Sequence, residues 1–171
     1  MVVWIIGLSG AGKTTLATDV VSKVRKSYKN VVLIDGDMIR DVFGNDLGHT
    51  LVDRRRNADR ISQLCKLLDD QGIHVVCAIL SLFPDSRLWN RENIKNYFEV
   101  FIDAPLGNLI KRDVKGIYAR FQRGEISNVA GMDIEFIKPD CPDLVIKNQK
   151  NIDVLMGYAD QIAEKIIESN L

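Results

Sequence analysis

Short runs of β-branched and aliphatic residues alternate along this chain with segments whose apolar positions recur every three or four residues. Residues 2–6 (Val-Val-Trp-Ile-Ile) form the first run, which ends at Gly7. A helical period follows over 13–27, then a second run at 31–34 that ends in Asp35-Gly36-Asp37. Within 55–71, Ile61, Leu64, Cys65 and Leu68 stand at i, i+3, i+4 and i+7, and Gly72 closes the segment. That is the pattern of an amphipathic helix with a glycine just past its end. Residues 75–81 predict a third strand, 98–103 a fourth and 144–146 a short fifth. Leu155, Tyr158, Ala159, Ile162 and Ile166 share one face of a C-terminal helix. Strands that are apolar throughout are buried on both faces, so the alternation predicts an α/β fold: a parallel five-stranded sheet between two helix layers. No linker or repeat divides the chain, and residues 1–171 are expected to form one domain. The least regular part, about 115–142, is rich in Gly, Asp and charge and is expected to be a lid.

Composition narrows the classes without choosing a function. The chain has 171 residues, 46 % hydrophobic, enough for one core. At that size folding buries roughly 70 % of the surface. Lys plus Arg and Asp plus Glu number 23 each, and this balance disfavours nucleic acid as a partner. No apolar run approaches the ~20 residues of a membrane span. The N-terminus lacks the pattern of a secretory signal. Cys65, Cys77 and Cys141 are widely spaced, without metal-ligand spacing, and fit reduced thiols; a cytoplasmic protein is expected.

The chemistry sits at the first turn. Gly7-Leu8-Ser9-Gly10-Ala11-Gly12-Lys13-Thr14 matches the phosphate-loop pattern G-x-x-x-x-G-K-[ST], with a strand before it and a helix after it. Such a loop points backbone N–H groups at phosphate oxygens at the positive end of a helix. Lys13 can bridge the β- and γ-phosphates of ATP, and the Thr14 hydroxyl can hold Mg²⁺. Asp35 and Asp37 follow the second strand at the sheet edge where α/β ligands bind. One residue apart on extended backbone, they would project the same way. A GTPase would need D-x-x-G and N-K-x-D signatures; Lys147-Asn148-Gln149-Lys150 is not the latter. Arg40, Arg54, Arg55, Arg56 and Arg60, with Arg87 and Arg91, suggest an anionic acceptor, since guanidinium forks suit phosphate and sulfate. A small-molecule kinase is the class these residues favour. A sugar or polyol kinase and a non-catalytic ATP-binding module stay open as alternatives.

An ordered series of segments resembles the adenylylsulfate (APS) kinase family over most of the chain. It comprises the phosphate loop with Thr15, Asp35-Gly36-Asp37 with Arg40, Asp53-Arg54 with Asn57, and Phe101-Ile102-Asp103-Ala104-Pro105. It continues through 112–118, Gly124-Glu125-Ile126 and Gly131-Met132-Asp133. The resemblance implies a P-loop NTPase-type three-layer sandwich that moves the ATP γ-phosphate to the ribose 3′-hydroxyl of a small nucleotide. By position, Gly7, Ser9, Gly10, Ala11, Gly12, Lys13, Thr14, Thr15 and Arg112 would hold ATP, and Thr14 and Asp35 would hold Mg²⁺. Asp35, Asp37, Arg40, His49, Arg54, Asn57, Ser81, Lys115 and Val129 would line the acceptor site. Lys13, Asp37 and Lys115 would carry catalysis, with Asp37 orienting the 3′-hydroxyl; the roles of the two aspartates could be exchanged. Arg120 and Arg123 would belong to the lid, and Ser81 would lie beside the substrate. Two departures stand out. The family places Phe where this chain has His49 and Val129, and those rings are expected to sandwich adenine. The chain is in this respect similar to APS kinase-like proteins of surface-polysaccharide synthesis, including cytidine diphosphoramidate kinases, so adenylylsulfate and a modified cytidine diphosphate are both expected acceptors. A homodimer stays open.

Overall fold

Five parallel strands and seven helices make up the computed structural model, which describes residues 1–148 and 152–169. β1 (Val2–Ile6) lies at the centre of the sheet order β2-β3-β1-β4-β5, and all five of its residues are buried. Its neighbours are β3 (His74–Ile79) and β4 (Tyr97–Asp103), with Trp4 opposite Cys77 and Glu99. β2 (Val31–Asp35) and β5 (Leu144–Lys147) form the edges. Because strand side chains alternate, β1 supplies two cores. Val3 and Ile5 pack with Leu16 and Val20 of α1 (Lys13–Val24) and with Ile162 and Ile166 of α7 (Ile152–Glu168). Val2, Trp4 and Ile6 pack on the other face with Ile61 and Cys65 of α3 (Leu51–Asp70). This is the expected three-layer α/β sandwich. No described helix is long and apolar enough to cross a membrane.

The chain runs from β1 to the edge strand β2, returns to β3, and then crosses to β4 on the other side of β1. The strand order therefore reverses beside the C-terminal end of β1, where a ligand crevice opens in such sheets. The phosphate loop sits there.

Four helices go beyond the apolar periodicity: α2 (Gly36–Val42), α4 (Pro84–Asn93), α5 (Leu106–Arg112) and α6 (Ile117–Gln122). Each is short, and polar local contacts start two of them. Asp35 accepts the Asp37 N–H at 2.9 Å, capping α2. Asp113 accepts the Tyr118 and Ala119 N–H groups at 3.1 and 2.8 Å, capping α6. One expectation changes as a result. Asp35 and Asp37 do not share an extended strand, since Asp35 ends β2 and Asp37 lies in the first turn of α2. The segment of about 115–142, expected to be a lid, contains the short helix α6. The long helix starts at Leu51 rather than 55, since the Thr50 hydroxyl accepts the Asp53 N–H at 3.2 Å and donates to the Asp53 carboxylate at 2.8 Å.

Candidate active site

The turn from β1 to α1 builds the first half of the site. Gly12 sits at φ 99°, a conformation that favours glycine, and a Cβ there would fall 2.5 Å from Leu155 Cδ2 and displace that side chain of α7. Gly7 and Ala11 are buried within the loop and do not line the cavity, while Ser9, Gly10, Gly12, Lys13, Thr14 and Thr15 face this open space of about 710 Å³. Lys13 Nζ donates to the Leu8 carbonyl at 2.9 Å. Desolvation of its ammonium, reinforced by the nearby Lys115 charge, lowers its pKa to about 8, with Asp35 and Asp37 opposing the fall. Thr14 Oγ1 donates to Asp35 Oδ2 at 2.8 Å. A hydroxyl and a carboxylate side by side at the loop are hard oxygen donors, and their chemistry fits Mg²⁺. The described residues contain no cluster of three or more His, Cys, Asp or Glu side chains that could hold a metal ion by themselves. A site with so few protein ligands is the kind in which Mg²⁺ keeps waters and phosphate oxygens as its other ligands.

The second half faces the loop across the same cavity. Asp37, Arg40, His49, Arg54, Asn57, Ser81, Lys115 and Val129, all singled out from the sequence, line it together with Asp35. Lys115, on the link between α5 and α6, pairs with Asp37 at 2.8 Å and so reaches across the cleft to α2. Desolvation pushes the Asp37 carboxyl up. The hydrogen bond and charge of Lys115, with His49 and Arg40, outweigh it and hold the carboxyl below its ordinary value. The hydrogen bond to Asp37 raises the Lys115 pKa in turn. Arg40 is 8 % exposed and donates to the Leu47 and Gly48 carbonyls at 3.1 and 2.7 Å. Arg54 donates to the His49 carbonyl at 2.9 Å and to the Asn128 carbonyl at 2.8 Å. One guanidinium thereby ties the His49 segment to the residue before Val129. Partial desolvation, with the charges of Arg54 and Arg40, lowers the pKa of the otherwise exposed His49 imidazole. Buried Asn57 donates to the Gly36 carbonyl at 3.4 Å, and its Oδ1 has no partner among the described residues.

Ser81 stands in the left-handed region at φ 55°, an uncommon conformation for a residue with a side chain. Its hydroxyl accepts from Trp4 Nε1 at 3.3 Å, and its carbonyl accepts from Arg87 Nη1 at 2.8 Å. The arginine set therefore divides. Arg40 and Arg54 face the cavity, whereas Arg87 holds a loop. Arg55 pairs with Asp85 at 2.7 Å, Arg60 with Asp46 at 2.8 Å and Arg91 with Asp143 at 3.2 Å. Arg112 ends α5 outside the cavity lining, and Arg123, just past α6, pairs with Glu125. Arg120 does line the cavity. Sequence reasoning passed over Phe83 and Asn128, which also line it; no local signal marks either one.

A glycine loop between the central strand and α1, with lysine, threonine and carboxylate converging on one cavity, defines a P-loop phosphotransferase. Comparison with known proteins narrows this class. The adenylylsulphate kinase family profile matches residues 1–147. A cytidine diphosphoramidate kinase of Campylobacter jejuni is 40 % identical over 150 residues, covering 86 % of this chain and 85 % of that one. An adenylyl-sulfate kinase of Halothermothrix orenii is 38 % identical over 166 residues, covering 97 % of this chain and 86 % of that one. The solved Mycobacterium tuberculosis APS kinase in complex with AMPPNP and APS superposes with a TM-score of 0.85 at 33 % identity, covering 98 % of this chain and 96 % of that one. The chain belongs to the adenylylsulphate kinase family and is an ATP-dependent kinase. A sugar kinase and a shikimate kinase share the fold at 19 % and 16 % identity, which speaks to architecture alone.

Proposed function

We propose that this kinase transfers the γ-phosphate of ATP to the ribose 3′-hydroxyl of a cytidine nucleotide whose 5′-phosphate carries a second small anionic group, as in cytidine diphosphoramidate. The observation that carries the reading is the pair His49 and Val129, held on the cavity wall by the Arg54 guanidinium that bonds both segments. One imidazole and a small aliphatic side chain do not form the two-ring sandwich expected for adenine. Stacking on an aromatic ring is worth about 1–3 kcal/mol per base, so the loss of two rings falls hardest on a purine. The 40 % identical relative named cytidine diphosphoramidate kinase supports the same acceptor.

In this reading the phosphate loop receives ATP, and Lys13 leaves the Leu8 carbonyl for the phosphates. Thr14 and Asp35 would hold Mg²⁺, which supplies charge neutralisation on the transferring group. Asp37, kept ionised beside Lys115, accepts a hydrogen bond from the 3′-hydroxyl and draws its oxygen into line. Lys115 and Arg120 face the same space from the lid side and add positive charge beside the phosphoryl group. Little covalent chemistry is asked of the protein, since phosphoryl transfer depends on positioning and charge.

Adenylyl sulfate is a second acceptor, favoured by Phe83, an aromatic ring in the same wall. A competition assay with ATP and equal concentrations of the two acceptors, read by mass spectrometry, separates them. The cytidine compound is expected to win by tenfold or more in kcat/KM, about 1.4 kcal/mol. Preference for adenylyl sulfate would overturn the assignment of His49 and Val129.

A further inference from the structure

The phosphate loop is held from behind by a residue outside the phosphate-loop pattern. Asn148, the first residue after β5, donates from Nδ2 to the Ala11 carbonyl at 2.9 Å, and its backbone N–H donates to the Asp103 carbonyl at 3.1 Å. Both ends of this contact are buried: Asn148 is 4 % exposed and Ala11 0 %. The Ala11–Gly12 peptide is planar and trans, so its C=O and N–H point in opposite directions. Fixing the Ala11 carbonyl toward β5 therefore aims the Gly12 N–H at the concave side of the loop. Gly12 lacks a side chain to restrict it, and a free glycine samples both hands of φ. Something outside the loop must choose the orientation, and Asn148 lies against it: a Cβ on Gly12 would be 3.6 Å from Asn148 Nδ2.

We infer that Asn148 is a positioning residue for phosphate binding, acting through the Ala11–Gly12 peptide and touching no substrate itself. The inference rests on the phosphate-loop reading above. Asn148 Oδ1 is buried with no partner among the described residues. An unpaired buried acceptor is a cost to folding, so packing alone would favour an apolar side chain at this place. The amide is kept for its donor.

The test compares wild type with Asn148→Leu, which removes the donor, and with Asn148→Asp, which keeps the shape and sets an acceptor against the carbonyl. Binding of MgATP and of magnesium tripolyphosphate is measured by calorimetry, alongside acceptor KM and thermal melting. Tripolyphosphate has no base, so it reports on the loop alone. Both ligands are expected to weaken in parallel by about tenfold, or about 1.4 kcal/mol, in either variant. Acceptor KM is expected to stay within twofold, with cooperative melting. Unchanged tripolyphosphate affinity in a folded variant would overturn the inference, and so would loss of ATP affinity alone, which would place Asn148 at the base. Failure of both variants to fold would make Asn148 a structural residue and overturn it as well. A wild-type chain that binds no tripolyphosphate would instead overturn the phosphate-loop reading, and this inference with it.

Discussion

Lys13 gives the site a pH dependence that can be worked out in advance. Its ammonium is desolvated, donates to the Leu8 carbonyl, and has a pKa of about 8. Beside the phosphates of ATP the same group gains strong negative partners, and its pKa must rise. ATP binding is therefore linked to proton uptake. Below pH 7 the lysine is already charged and affinity is flat. Above pH 8 a growing fraction of the free protein must first take up a proton. With a free pKa of about 8, half the molecules are neutral at pH 8 and affinity falls about twofold; at pH 9 the fall is about 11-fold. Calorimetry at pH 8 in two buffers of different ionisation enthalpy should register uptake of about half a proton per ATP, rising to about 0.9 at pH 9. The sign for folding is opposite. Because the pKa lies below its ordinary 10.5, the unfolded chain holds more protons between about pH 8 and 10.5, and the ligand-free protein gains stability from this group as pH rises through that window. Lys13→Arg removes the dependence, since guanidinium stays charged throughout. Flat ATP affinity from pH 7 to 9 with no proton uptake would refute the reasoning.

Other consequences test other parts of the site. Asp37→Asn should lower kcat by about 10²–10⁴ with little change in ATP affinity, as loss of the group that orients the acceptor proton requires; steady-state kinetics with each substrate varied checks it. His49→Phe, at an exposed position with room for a ring, should shift acceptor preference toward adenylyl sulfate by about 5-fold or more, the low end of one stacking contribution. Thr50→Ala removes the N-cap of α3 and should cost about 1 kcal/mol in chemical denaturation while leaving kcat near wild type, because Thr50 does not line the cavity.

What could be read in the chain follows the range of the forces involved. β1 and the phosphate loop were legible because each depends on adjacent residues: five apolar side chains buried on both faces, then glycines in a tight turn. The helices α2, α4, α5 and α6 carry little apolar periodicity, and capping carboxylates such as Asp35 and Asp113 look the same in sequence as carboxylates in a loop. The arginines show the limit of composition. A cluster of positive charge along α3 suggested one anion site, yet Arg55 and Arg60 are engaged by Asp85 and Asp46, and only distant pairing reveals it. Arg87 holds a serine whose left-handed backbone no residue type announces. Asn148 meets Ala11 across 137 residues, and its partner is a backbone carbonyl, which leaves no mark on the sequence.

The central claim concerns a single oxygen atom, the ribose 3′-hydroxyl oxygen of a nucleotide. Phosphorus–proton correlation NMR of the product formed from ATP and cytidine diphosphoramidate tests it directly. The account predicts a new phosphate resonance coupled to the ribose H3′ proton. Coupling to H2′, or phosphorylation of a simple polyol with no nucleotide product, would contradict it.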